Sequence, residues 1–303
     1  MDGPSGRSYT FEQLNVLTKK FGSALTKKGF KKGDVFAILL PNLPEFPVVY
    51  YGVTFIGGIV TTLNPLYTVE EITHQLQDAG ATFIITIPLF ADKVRESTSN
   101  VGIKTVYVVG EAEGCESLSV LLQDGGEDFP ENVEINPKED TVCLPYSSGT
   151  TGVPKGVMLT HYNLIACASI VTHESFMWNK EGDAAVLGLL PFFHSFGQVI
   201  SMSCALYKGA KVVCVPKFEP ESFLKIIQEH KVGIFFPSLF LVLSSTFSLL
   251  ACLYCSFPFF KSFRCKTTSV LSRIPLSDWL RYLLSILLYK SPRYSRILIG
   301  SRL

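Results

Sequence analysis

The sequence has almost no net charge, and this lack excludes one class of partner. Its 303 residues hold 27 lysines and arginines against 26 acids, a formal net charge of +1. Proteins that bind the phosphates of DNA or RNA carry a clear excess of basic side chains, usually on one face. The composition gives no electrostatic argument for such a partner, and we predict no nucleic acid.

The sequence also lacks a secretory leader and any cysteine pattern typical of a metal site. It has eight cysteines, and its one CxxC pair, Cys252 and Cys255, has neither a second pair nor nearby histidines. A structural zinc ion needs four such ligands. We therefore expect reduced thiols in a cytosol-like compartment and predict no metal ligands.

Strand-like and helix-like stretches alternate along most of the chain. Thr10 and Gln13 form a capping-box pattern before a helical stretch that Gly29 ends, and Thr68 and Glu71 form another. Between them, residues 35–40 (VFAILL) form a fully apolar run of strand length, the pattern of a strand covered on both faces. Further strands are predicted at 59–64, 82–87 and 105–109, and later at AVLGLLP, KVVCVP and GIFFP. This alternation predicts an α/β fold of mainly parallel sheets layered with helices.

Residues 146–157, YSSGTTGVPKGV, have the composition of a phosphate-binding loop. TVCLPYS (141–147) reads as a strand, GTTGVPKG as a loop and VMLT as a returning strand. The glycines Gly149 and Gly152 permit close backbone approach, and exposed N–H groups, hydroxyls and the ammonium group of Lys155 suit a polyphosphate. The loop differs from the Walker A pattern, because Pro154 stands where the second glycine is required. A kinase or GTPase is therefore disfavoured, and an ordinary Ser/Gly-rich surface turn is the alternative.

The run YSSGTTGVPKGVMLTH closely resembles the signature of the adenylate-forming superfamily, which includes acyl-CoA synthetases, 4-coumarate:CoA ligases and beetle luciferases. LLPFFHSFGQ (189–198) resembles the second core motif of that family, and residues 215–240 resemble the segment that follows it. Upstream, GRSYTFEQL, ILLPN and LNPLYTVEEI are also similar to the family. The resemblance covers about residues 4–243 and is nearest to the 4-coumarate:CoA ligase and luciferase-like branch.

The resemblance implies a reaction and a set of site residues. Enzymes of this family convert ATP and a carboxylic acid to an acyl-adenylate and pyrophosphate, and then transfer the acyl group to coenzyme A. ATP, Mg²⁺ and coenzyme A are therefore the expected cofactors or substrates, and a small aromatic or fatty carboxylic acid is the expected partner. By resemblance Lys155 and His194 are the catalytic candidates, Phe196 lines the acyl-adenylate pocket, and Lys217 contacts coenzyme A. The implied contacts with the ATP phosphates are Ser147, Ser148, Gly149, Thr150, Thr151, Gly152 and Lys155.

Each of these roles has a structural alternative. His194 could be a satisfied structural histidine after an apolar strand, although its place within PFFHSFG favours the functional role. Phe196 could equally belong to the core, and a lone lysine such as Lys217 is usually a solvated charge. We predict that His161 begins a helix and takes no part in the chemistry.

The composition changes at Ser244. From there the chain has nine bases and one acid, so residues 1–243 hold 18 bases (27 − 9) and 25 acids (26 − 1). The ribose-holding, magnesium-supporting and C-terminal lysine motifs that the resemblance implies are not found in the 303 residues. We therefore divide the chain into a partial adenylation domain, 1–243, and a tail of unrelated composition, 244–303. The start also looks shortened relative to the family, and we expect weak activity or none from the chain as written.

Two features raise questions of location. Residues 232–260 contain no charged side chain and precede Lys261 and Arg264, so a membrane association through this stretch is possible, although Pro237 and Pro258 interrupt it. The final tripeptide Ser301-Arg302-Leu303 resembles a peroxisomal address. We favour a peroxisomal or otherwise cytoplasmic location over a membrane one.

The sequence thus predicts an AMP-forming acid:CoA ligase that is impaired as written. The alternative is a non-catalytic fragment that binds nucleotide, a partner protein or a membrane.

Overall fold

The computed structural model describes residues 1–147, 154–173 and 185–234. All of them lie in a unit that spans Met1–Leu239. Most of the phosphate-loop candidate (148–153) lies outside the described residues, as do the tail 244–303, the CxxC pair and the C-terminal tripeptide. The division of the chain at residue 243 and the peroxisomal location therefore stay predictions.

The helices follow the predicted order. α1 begins after Thr10 and α3 after Thr68, and both carry the reciprocal capping box that the sequence predicts. His161 is the first residue of its helix, as predicted. The α-helices are α1 Phe11–Lys27, α2 Glu45–Phe55, α3 Val69–Ala79, α4 Ala91–Thr98, α5 Leu118–Leu121, α6 His161–Val171, α7 Cys204–Tyr207 and α8 Pro220–Glu229.

The strands form two sheets, and nearly all of their pairings are parallel. In the larger sheet the strand order is β5-β4-β3-β1-β2-β6-β7, with β8 also paired to β6; in the smaller it is β10-β9-β11. The predicted mainly parallel α/β fold is therefore confirmed, and among the strands of the described residues only β7 and β8 run antiparallel to their neighbour β6. The strands are β1 Val35–Ile38, β2 Ile59–Thr62, β3 Ala81–Thr86, β4 Thr105–Val108, β5 Glu116–Ser117, β6 Thr141–Ser147, β7 Lys155–Gly156, β8 Leu159–Thr160, β9 Ala185–Gly188, β10 Lys211–Cys214 and β11 Val232–Ile234.

The run VFAILL shows why the larger sheet needs helices on both faces. Phe36, Ile38 and Leu40 belong to the apolar cluster that includes residues of α1 and α2. Val35, Ala37 and Leu39 belong to a second cluster with residues of α3 and α4. Because successive side chains of a strand point to opposite faces, an uninterrupted apolar run places core on both sides of the sheet.

The segment VMLT differs from its prediction. The sequence predicts one returning strand over 157–160, whereas the chain pairs with β6 at two separate places, through β7 and then β8. Between them the Val157 N–H donates to the Pro145 carbonyl at 2.9 Å. The return is therefore two short strands with an irregular link, since each antiparallel pairing joins only a few residues.

The segment after His194 is helical as predicted, but it begins with a different type of helix. A helix is predicted there, and Gly197–Ser203 forms a π-helix that leads into α7. Single π-turns are rare and occur often at functional sites. The predicted helix exists, but its first turns are wider than those of an α-helix.

Within the described ranges 1–147, 154–173 and 185–234, the structure has no helix with both the length and the apolar character that a membrane span requires. Of the candidate membrane stretch 232–260, only Val232–Ile234 is described, and it is strand β11, paired in parallel with β9.

Candidate functional site

The carboxyl ends of the parallel strands bring the two predicted motifs to one edge of the larger sheet. β2 pairs in parallel with both β1 and β6, with Thr62 opposite Ile38 on one side and opposite Pro145 on the other. β6 ends at Ser147, where the phosphate-loop candidate begins. In open parallel sheets ligands bind in the crevice outside the carboxyl ends of the strands.

The described ends of the phosphate-loop candidate face each other across an antiparallel pair. Ser147 on β6 is the pairing partner of Lys155 on β7, and both are exposed. Lys155 is therefore held at the end of β6 by its backbone, and it is exposed there. The other five predicted phosphate contacts, Ser148, Gly149, Thr150, Thr151 and Gly152, lie outside the described residues.

A tyrosine supports the base of this loop. The Tyr146 hydroxyl donates a hydrogen bond to the Asp78 carboxylate near the end of α3. A Cβ added to Gly156 would lie 3.1 Å from the Tyr146 ring, so glycine on β7 allows the ring to pack against the backbone. Burial and the neighbouring Asp78 carboxylate raise the pKa of Tyr146. The phenol therefore stays protonated at neutral pH and keeps its hydrogen bond.

A cavity of about 180 Å³ lies on this side of the loop and is unsuited to a polyphosphate. Its lining includes Tyr146, Pro154 and two acidic residues, Glu70 and Glu71. Two carboxylates repel an anion instead of neutralising it. An anion is therefore disfavoured in this cavity.

His194 lies in the loop that leaves β9, and its ring has a defined hydrogen-bond pattern. The Phe196 N–H donates to His194 Nδ1 at 3.3 Å. In the neutral ring Nε2 must therefore carry the hydrogen and act as the donor. Burial lowers the pKa of His194, although the residue as a whole keeps an exposed part. At neutral pH the side chain thus offers a neutral N–H donor to a ligand.

The His194 loop is attached to the larger sheet at two points. Asn42, which follows β1 and is 3% exposed, donates from Nδ2 to the Gly188 and Leu190 carbonyls at 2.8 and 2.9 Å. Its Oδ1 accepts from the Phe192 N–H at 2.8 Å. Thr62, at the end of β2, donates from Oγ1 to the Phe193 carbonyl at 2.6 Å.

Gly197, at the start of the π-helix, packs against the backbone of the same loop. A Cβ added there would collide with the Pro191 carbonyl oxygen and lie 2.6 Å from the Leu190 carbonyl oxygen. The start of the π-helix therefore approaches the 190–191 backbone more closely than any side chain permits.

Lys217 lies at the carboxyl edge of the smaller sheet. β10 ends opposite the end of β9, with Cys214 paired to Gly188, so Lys217 and the His194 loop leave the same edge. The Lys217 ammonium group is exposed and pairs with the Glu219 carboxylate at 3.2 Å. No hydrogen bond or ion pair connects Lys155, His194 and Lys217 to one another within the described part of the chain.

The sequence patterns alone predict no roles for four residues of the site: Asn42, Thr62, Tyr146 and Gly197. Asn42 stands in ILLPN and Gly197 in PFFHSFGQ, two stretches already recognised as similar to a known family. A polar residue that follows a fully apolar run after a single proline is the signal that could have singled out Asn42. Tyr146 stands in YSSGTTGVPKGVMLTH, but neither it nor Thr62 signals its partner, which is far away in the sequence.

Comparison with known proteins identifies the family. The sequence matches the AMP-binding enzyme family over residues 2–251. It is 37% identical over 249 residues to 4-coumarate--CoA ligase 2 of Solanum tuberosum. The matched residues cover 81% of this chain and 45% of the relative. The chain thus spans about half the length of the curated relatives it matches.

Solved structures agree with this assignment. A long-chain-fatty-acid-CoA ligase from Archaeoglobus fulgidus superposes with a TM-score of 0.68 and 31% identity, over 77% of this chain and 46% of that one. A red-emitting luciferase from Phrixothrix hirtus superposes with a TM-score of 0.75 over 83% of this chain and 62% of that one, and at 24% identity it shows the fold alone. With the α/β fold, the two motifs at one sheet edge and the family match in agreement, this chain belongs to the AMP-binding enzyme family.

Proposed function

We propose that this chain takes part in the ATP-dependent activation of a small carboxylic acid, as an AMP-forming acid:CoA ligase. The observation that carries the proposal is that the phosphate-loop candidate and the His194 loop lie at the carboxyl ends of two adjacent strands. The phosphate-loop candidate leaves the end of β6, and the His194 loop is hydrogen-bonded to the end of β2. Support also comes from the relatives, which are named as 4-coumarate and long-chain fatty acid CoA ligases. The substrate class proposed is therefore an aromatic or fatty acid.

In the proposed first step a carboxylate oxygen bonds to the α-phosphorus of ATP as the bond to the bridging oxygen breaks, and pyrophosphate leaves. The chemistry needs negative charge neutralised and reactants aligned. Lys155, with Mg²⁺ arriving on the ATP phosphates, would neutralise the charge on the leaving pyrophosphate. The exposed Lys155 ammonium group beside the end of β6 fits that role.

His194 is proposed to hold oxygen atoms of the acid or the adenylate through its Nε2–H. A neutral donor suits this position, because it can bind the reacting carboxylate without locking it in an ion pair. Phe196, whose N–H fixes the histidine ring, is proposed to line the same pocket.

The second step, transfer of the acyl group to the thiol of coenzyme A, is proposed to use Lys217. Its ammonium group is exposed and lies on the same sheet edge as the His194 loop. A phosphate of coenzyme A would have to compete with Glu219 for it. An exposed ion pair of this kind contributes at most about 1 kcal/mol, so an incoming phosphate can displace it.

A polypeptide of these 303 residues alone is proposed to turn over slowly. The ribose-holding aspartate and the C-terminal lysine that the resemblance implies are not among them. Contacts that act only in the transition state contribute several orders of magnitude to rate.

Pyrophosphate release with Mg·ATP, coenzyme A and a panel of aromatic and fatty acids tests the proposal. We expect an acid-dependent signal that Lys155→Ala lowers on the order of 10²-fold, as expected for loss of one preorganised charge partner. Lys31→Ala is the matched control, because Lys31 is an exposed lysine that precedes β1 and so lies at the opposite edge of the sheet. A signal that Lys155→Ala leaves unchanged, or no signal with any acid, would argue for the non-catalytic alternative.

A further inference from the structure

The loop that carries His194 is fixed by side chains of a different sheet from the one it leaves. The loop follows β9 of the smaller sheet, yet its backbone is hydrogen-bonded by Asn42, which follows β1, and by Thr62 of β2, both from the larger sheet's side. Together these two residues make four hydrogen bonds to the backbone between Gly188 and Phe193. The last of these contacts lies one residue before His194.

The chemistry of Asn42 matches this task closely. A buried amide has two N–H donors and a carbonyl acceptor, and here both donors and the acceptor are used by backbone groups of one loop. Aspartate could not replace it, because a carboxylate has no hydrogen to donate to the Gly188 and Leu190 carbonyls. Asn42 itself is held by the sheet, because it follows β1, whose residues are completely or almost completely buried.

Thr62 fixes the same loop from the neighbouring strand. Its side chain is almost completely buried, and its hydroxyl reaches the Phe193 carbonyl at 2.6 Å. Gln75 of α3 also holds this strand end, since its Nε2 donates to the Thr62 carbonyl at 3.1 Å. The hydroxyl is therefore presented from a backbone that is itself fixed.

We propose that Asn42 and Thr62 are positioning residues that set the place of the His194 ring relative to the end of β6. They do not touch the reacting atoms. They hold the loop against the carboxyl edge of β1 and β2, next to the strand from which the phosphate-loop candidate leaves. The catalytic meaning of this role rests on the proposed function, whereas the positioning itself is a property of the chain without ligand.

The test uses NMR of the ligand-free chain and five variants. Thr62→Val removes only the hydroxyl and keeps the shape, and Thr62→Ser restores a hydroxyl. Thr86→Val is the matched control, because Thr86 is a fully buried threonine at the end of β3 whose Oγ1 has no hydrogen-bond partner among the described residues. Asn42→Asp tests the second positioning residue. His194→Gln identifies the His194 imidazole signals among the five histidines.

We expect Thr62→Val to move the ¹⁵N signals of the His194 ring and to raise its pKa toward the ordinary value, because a loosened loop admits water. Amide exchange at Phe196 should become roughly five-fold faster, the factor that corresponds to one lost hydrogen bond. Thr62→Ser should restore both readouts, and Thr86→Val should leave them at wild-type values.

Unchanged His194 signals and unchanged Phe196 exchange in folded Thr62→Val would overturn the proposal. So would equal changes in Thr86→Val, because they would reveal a general loss of packing. If Asn42→Asp folds, it should shift the same signals further than Thr62→Val does; if it does not fold, the threonine series decides. None of these readouts needs turnover, so they stay informative even if the pyrophosphate assay fails.

Discussion

Gly197→Ala is expected to lower the free energy of unfolding by about 3 kcal/mol, the upper end of the cost of overpacking a closely packed site. The added methyl group would collide with the Pro191 carbonyl oxygen and lie 2.6 Å from that of Leu190, and both atoms belong to backbone. Since backbone cannot rotate away as a side chain can, either the loop or the start of the π-helix must move. Urea denaturation measures the loss.

The same change should also disturb the candidate site. The 190–191 backbone that would be displaced lies among the Asn42 contacts, which include the Leu190 carbonyl and the Phe192 N–H. Gly102→Ala is the matched control, because a Cβ added at Gly102 meets no atom within 4 Å. Equal stability of the Gly197 and Gly102 variants would show that the close approach at the start of the π-helix is not a real constraint.

Phe36→Ala is expected to cost about 4 kcal/mol, within the range for large-to-small changes at buried aromatic positions. Phe36 is 0% exposed, and its ring centroid lies 6.3 Å from that of Phe83 and 6.1 Å from that of Tyr107, in a mutually stacked group of three rings. Phe21 of α1 packs edge-on against it at 5.8 Å. The substitution would open a cavity where α1 meets the middle of the larger sheet, and little nearby can collapse into it.

A matched surface change separates burial from residue type. Leu66 is 87% exposed, so Leu66→Ala should change the unfolding midpoint little. Urea unfolding of both variants, with the slope compared to wild type, gives the difference. A loss below about 1 kcal/mol for Phe36→Ala would contradict the packing described for this sheet.

The fold could largely be predicted from the sequence, because its signals are local. Capping boxes at Thr10 and Thr68 fix two helix starts, and an uninterrupted apolar run such as 35–40 requires core on both faces. The short elements β5 and α5 were not predicted. Two to four residues carry no periodicity that could distinguish them from a loop.

The candidate site could be predicted only in part. The motifs around Lys155 and His194 are contiguous in the sequence and therefore recognisable. The residues that hold these motifs in place are far from them in the sequence. Asn42 contacts carbonyls 146 and 148 residues away, and Thr62 contacts one 131 residues away. A single sequence contains no signal for such pairings, which arise only when the strand order brings the two sheets' loops together.

The π-helix after His194 shows a similar limit. The apolar pattern predicts a helix there, but not its wider turns. That geometry accompanies the close approach of Gly197 to the 190–191 backbone, a tertiary contact. Local propensity is overridden where the chain must pack against a distant segment.

The central claim is that the loop between Ser147 and Lys155 holds the triphosphate of ATP at the carboxyl end of β6. Calorimetric titration of Mg·ATP into wild type, Lys155→Ala and Lys31→Ala tests it without requiring turnover. We predict binding by wild type and by Lys31→Ala, with an affinity about 10- to 100-fold lower for Lys155→Ala, as expected for one charged hydrogen bond to phosphate. No heat of binding with the folded wild-type chain, or equal affinities for wild type and Lys155→Ala, would contradict the claim.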